Sequence, residues 1–133
     1  MKLTLFYCDK ALNRPDGKLN IEGVFNELYA PGFPARQDHV VLAGTIEWDR
    51  ADEGQQPFQI EIDDPAGKTV FTIKGHTDVD ARPQHRPPAR TCLVLPLEKL
   101  VFPEPGEYPT RVRIRDELLA GPSLHLMATK SGG

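Results

Sequence analysis

Between Lys18 and Pro34 the sequence reads KLNIEGVFNELYAPGFP, and this stretch limits the folds open to the chain more than any other. Leu19, Ile21, Gly23 and Phe25 alternate with Lys18, Asn20, Glu22 and Asn26, the period of two that belongs to a strand with one buried face. The apolar series resumes at Leu28 and Ala30, one residue out of phase, which predicts a β-bulge near Asn26–Glu27. Pro31, Gly32 and Pro34 then stop the strand.

The same alternation recurs along the chain. Residues 3–8 form a short first strand, and the Pro-Asp-Gly turn at 15–17 sets it beside the stretch above as a hairpin. Val40, Leu42, Gly44, Ile46 and Trp48 make one inward series, and Phe58, Ile60 and Ile62 another. The turn DDPAGK leads to Phe71 and Ile73, and from Gly75 the pattern gives way to a long proline-rich loop. Leu93, Leu95 and Leu97 restart a strand. Tyr108, Thr110, Val112 and Ile114 face one way, with Arg111, Arg113 and Arg115 facing the other. A last strand carries Leu124 and Leu126.

No segment sustains a helical period. Thirteen prolines and eleven glycines fall between the apolar runs, as turns do in an all-β fold. The expectation is therefore an all-β, immunoglobulin-like antiparallel β-sandwich of about 7–8 strands. It fills a single domain over 1–129, with a flexible tail over 130–133. Gly106-x-Tyr108 before a strand is the pattern of a tyrosine corner, in which the phenol bonds backbone a few residues upstream.

Two runs carry a family resemblance: L-x-I-x-G-x-F-x-x-L-x-A-P-x-F-P over Leu19–Pro34, and L-x-F-P-x-P-G-x-Y over Leu100–Tyr108. They resemble a family of small bacterial proteins of unknown function with an immunoglobulin-like β-sandwich. The matching residues are apolar, Gly and Pro, so the resemblance implies a fold and brings no activity, cofactor or catalytic position.

Charge and composition narrow the function. A net charge of −3 argues against a dedicated nucleic-acid binder. No run reaches the roughly 18–20 apolar residues of a membrane span. The N-terminal MKLTLFYCDK lacks the apolar core of a signal peptide, which places the protein in the cytoplasm, with Cys8 and Cys92 as free thiols.

Three clusters carry candidate chemistry. His76, Asp78 and Asp80, at i, i+2 and i+4, would share a strand face and offer a metal site, with His85 and Asp63–Asp64 as further donors. The plain structural alternative is a solvated strand end. Arg82, His85 and Arg86 sit in a basic, proline-rich loop suited to an extended recognition segment. Arg111, Arg113 and Arg115 form a basic stripe that would take an anionic partner, or pair with Gln59, Glu61 and Asp63 if those strands are neighbours.

Ser123 and His125 lie two apart but lack a nucleophile elbow. The expectation is a non-enzymatic binding or structural interaction module without a cofactor. Its partner is a protein, and a homodimer would form through an edge strand, the candidate edge being near Gly121–Pro122. The alternative is a metal- or small-ligand-binding sandwich that uses the 76–90 loop.

Overall fold

The computed structural model describes residues 1–129. The expected tail over 130–133 lies outside the described residues. All regular structure among them is extended. In chain order the strands are β1 (Lys2–Asn13), β2 (Leu19–Phe25), β3 (Glu27–Ala30), β4 (Ala35–Gln37), β5 (Val40–Glu47), β6 (Gly54–Asp63) and β7 (Thr69–Val79). There follow β8 (Arg90–Leu97), β9 (Leu100–Phe102), β10 (Gly106–Tyr108), β11 (Thr110–Ile114), β12 (Glu117–Ala120) and β13 (Leu124–Ala128).

The all-β expectation holds, but there are thirteen strands rather than seven or eight. The excess comes from interruptions that alternation alone does not reveal. Pro109 divides β10 from β11, and Gly121-Pro122-Ser123 divide β12 from β13. Gly121 and Pro122, near which an edge strand is expected, lie between strands: β12 before them is an edge of its sheet, whereas β13, the last strand, is central in its own. The turn DDPAGK does close a hairpin, β6 to β7, but β7 runs on to Val79 instead of ending near Gly75. Its outer residues Lys74, His76 and Asp78 are polar and exposed, which disguises a strand as a loop.

One sheet has the order β2-β1-β5-β8, antiparallel throughout. The predicted β1–β2 hairpin is present, with Tyr7 opposite Phe25 and Asn13 opposite Leu19. At Gly44 an added Cβ would run into the Thr4 carbonyl oxygen, so glycine is what lets β1 lie this close to β5. The facing layer is built from β12-β11-β6-β7 and β10-β13-β3. They are continuous through Pro109, whose carbonyl accepts from the Asp63 N–H. A short pair, β4 with β9, completes the set.

The phase slip at Asn26–Glu27 is more than a bulge. β2 pairs with β1 in the first layer, whereas β3 pairs in parallel with β13 in the second. The chain crosses from one layer to the other at Asn26, whose carbonyl accepts from the His125 N–H. Between the layers lies one core. Leu42, Ile46 and Tyr7 enter it from the first layer, Ile60, Ile62, Ile114 and Leu126 from the second, and Phe102 and Leu100 from β9. Trp48, just past β5, is buried as its place in the inward series predicts.

Two tyrosine hydroxyls are satisfied inside this core. Tyr7 on β1 shares a hydrogen bond of 2.5 Å with the Thr110 hydroxyl on β11, joining the layers. Tyr108 donates to the Glu104 carbonyl and accepts from the Glu104 N–H, which is the expected corner. Its ring stands edge-on to Phe102 at 4.9 Å between centroids.

Candidate functional site

His76 and Asp78 lie on the outer face of β7, and Asp80 follows the strand end; all three are exposed. They share a side as the spacing predicts, but they do not converge. Residues two apart on a strand are about 6.6 Å apart along the backbone, so their side chains must lean together to share an ion, and these do not. Among the described residues no group of three or more His, Cys, Asp or Glu side chains is gathered closely enough to hold a metal.

The suggested extra donors are committed elsewhere. The Asp64 carboxylate accepts from the Ala66 and Lys68 N–H groups and shapes the hairpin turn. Asp63 is held by Arg111.

The arginine stripe divides into three fates. β11 does lie beside β6, with Arg111 opposite Glu61 and Arg113 opposite Gln59. The Arg111 guanidinium donates from Nε to Asp63 Oδ2 at 2.7 Å and from Nη2 to Glu61 Oε2 at 3.0 Å. Arg111 holds the Asp63 carboxyl below the usual range, outweighing the opposing effect of burial, and the Thr69 hydroxyl adds to it. Arg115 donates from Nη1 to Asp52 Oδ1 at 2.6 Å. Arg113 is exposed and makes no ion pair with a described residue. Two of the three arginines thus serve the fold, through partners on β6 and in the loop before it.

The proline-rich loop is folded on itself. Arg86 N–H donates to the Pro83 carbonyl, Arg82 Nε to the Pro87 carbonyl at 3.3 Å, and Arg50 reaches Pro83. His85 and Arg86 remain exposed at its tip. Arg82, Pro87 and Pro88 line a groove of about 540 Å³ together with Glu47, Trp48 and Arg90. Ser123 donates to Glu107 Oε2 at 3.0 Å, so its hydroxyl is engaged with a carboxylate rather than a histidine base.

The runs LTLFYC, VVLAG and CLVLPL are apolar on both strand faces, the signature of strands covered on both sides. In β2-β1-β5-β8 the outward residues align in rows across the sheet. Val24, Cys8, Val41 and Pro96 form one row, and Phe6, Ala43 and Val94 the next. Thr4, Thr45 and Cys92 make a third row.

Phe6 is 40% exposed and Val24 56%, while Cys8 and Ala43 beside them are covered. Burial pushes the Cys8 thiol up. Both cysteines are free. Charged residues bound the rows: Lys2, Glu47 and Arg90 at one end, Lys10 and Glu22 at the other. The outer face of the opposite layer is polar along β11, β6 and β7, with Arg111, Arg113, Gln59, Glu61 and Lys74, and carries exposed Leu118 on β12 and Tyr29 on β3.

Fold and surfaces together define a β-sandwich domain with one outer face mostly polar and the other mostly apolar between charged ends. The chain belongs to a family of unknown function, DUF6941, whose model matches residues 3–127. Among proteins of curated function none matches the chain.

Proposed function

We propose that the chain is a non-enzymatic interaction module, of immunoglobulin-like build, that binds a protein partner through the outer face of β2-β1-β5-β8. The observation that carries this reading is the apolar field around Phe6 and Val24, contiguous across four strands and bounded by charge. Among the described residues, the other outer face has exposed large apolar side chains only at Leu118 and Tyr29, amid charged and polar ones. The tyrosine corner at Tyr108 supports the immunoglobulin-like description. A bacterial, cytoplasmic setting belongs to the same proposal, and the free thiols Cys8 and Cys92 suit a reducing compartment.

The test compares the wild-type chain, Phe6→Glu and Leu118→Glu as immobilised baits. Each is offered both the host's proteins and the purified chain. Binding lost with Phe6→Glu and kept with Leu118→Glu, which alters an exposed apolar residue of the other face, is the expected result. Equal retention by all three, or turnover in a substrate screen, overturns the proposal.

One observation favours a second reading, a small anionic ligand in the groove beside Trp48. Arg82 and Arg90 line that groove together with Pro87 and Pro88. A rise in melting temperature with a panel of carboxylates and phosphates, lost in Arg82→Ala, is the outcome that reading predicts.

A further inference from the structure

We infer that the occupant of the apolar face is a second copy of this chain, packed face to face about a two-fold axis. The inference rests on the binding reading above and commits it to one partner. The axis runs along the strands, over the seam between β1 and β5. Three features of the face favour this arrangement.

The first is shape. Phe6 and Ala43 are cross-strand neighbours at the centre of the face, one tall and exposed, the other short and covered. A two-fold over their seam lays each Phe6 on the other copy's Ala43, and each Val41 on the other copy's Cys8. At the centre the largest side chain thus meets the smallest, which suits aligned sheet packing.

The second is charge. Lys2 and Glu47 are also cross-strand neighbours on the same two strands, at the end of the face. The same axis sets Lys2 of each copy against Glu47 of the other, giving two opposite-sign contacts at the rim. A rim of one sign would have opposed self-association.

The third is area. β1, β5 and β8 run together along most of the face, whereas β2 lies beside β1 only from Tyr7 onward. At about 4.8 Å between strands and about 3.4 Å per residue, the face covers about 450 Å² per copy. The pair then buries at most about 900 Å², the size of a weak contact that forms at high concentration. The contact is through sheet faces and leaves the strand edges free.

The experiment is the solution mass of the full chain by sedimentation equilibrium, from micromolar to near-millimolar concentration. The wild type should approach twice 14.8 kDa. Phe6→Glu should stay monomeric while keeping the wild-type circular dichroism. Should that variant misfold, Val24→Glu, in an adjoining row and more exposed, takes its place. Lys2→Glu and Glu47→Lys should each weaken association by about tenfold, since each reverses two rim contacts. An equimolar mixture of these two variants should restore it, because every Glu of one then faces a Lys of the other. Repulsion within each chain is the same in the mixture, so only contact between copies can account for the rescue.

A chain that stays monomeric at every concentration overturns the inference, as does a mixture no tighter than either variant alone. A dimer indifferent to Phe6→Glu also overturns it and returns the interface to a strand edge. A monomer whose Phe6 is needed to hold a different protein overturns self-association and leaves the binding reading standing. A monomer with no Phe6-dependent binding at all removes both.

Discussion

Tyr7 and Thr110 stand 103 residues apart in sequence, and their hydroxyls share one proton-donating contact in a site closed to water. Removing either hydroxyl strands the other, which costs about 1–3 kcal/mol, whereas removing both costs less than the two losses added. A urea-denaturation cycle of Tyr7→Phe, Thr110→Val and the double variant should therefore show a coupling clearly different from zero. Additive losses would mean the bond contributes nothing.

The same burial raises Tyr7 to about 12, against the smaller lowering effect of the Thr110 hydroxyl. A group raised on folding lends its stability fully below its unfolded value, about 10, and loses it as pH climbs through the folded one. Alkaline unfolding between about pH 10 and 12 should thus be blunted in Tyr7→Phe. An alkaline limb identical in that variant would assign the transition to other groups. No local pattern in the sequence announces this pair, because contact across layers leaves no period to detect. Tyr108 was legible for the opposite reason: its partner, Glu104, is four residues away, and Gly106 fixes the turn between them.

Among the elements, β6 and β11 show how far alternation reaches. It placed Ile60, Ile62, Val112 and Ile114 inward and set an acidic face and a basic face on two strands, all as found. What it left open was whether the two strands touch. They do, and Arg111 became a clamp on Asp63 and Glu61 instead of a free anion receptor.

Asp63 is lowered on folding, chiefly by its bond with Arg111, so its share of stability is present above the ordinary carboxylate value, about 3.9. That share is lost as pH falls through the depressed value. Arg111→Ala should move the acid-unfolding midpoint upward in pH. At neutral pH it should cost about 1–2 kcal/mol, the half-exposed guanidinium being partly screened by water. An unmoved acid midpoint would place the sensitivity in other carboxylates. Periodicity in apolar residues alone ends β7 near Gly75. His76 and Asp78 continue it in polar ones, paired with Pro57 and Gln55.

For the whole molecule, one stretch decides how the layers are tied. Lys18–Pro34 looked like a single strand with a bulge, but its halves serve opposite layers, and the crossing at Asn26 is clasped by β13. The phase slip was visible in sequence; the change of sheet was not, since a bulge and a crossover shift the apolar register alike. The apolar outer face was visible too, in three runs without polar alternation, yet a search for reactive side chains passes over it.

This chain path bears on how the protein comes apart. Trp48, the sole tryptophan, lies beside the first layer and donates from Nε1 to Thr91 on β8. Its fluorescence therefore reports that layer, while far-ultraviolet dichroism reports both. The layers share one core, the Tyr7–Thr110 bond and the crossing at Asn26, so neither has a hydrophobic face to stand on alone. The two signals should follow one urea transition with a common midpoint. If the face around Phe6 joins two copies, that midpoint rises with protein concentration in the wild type and stays fixed in Phe6→Glu. Fluorescence changing at a lower urea concentration than dichroism would show the first layer detaching by itself, and the sandwich would then be two units held by contact.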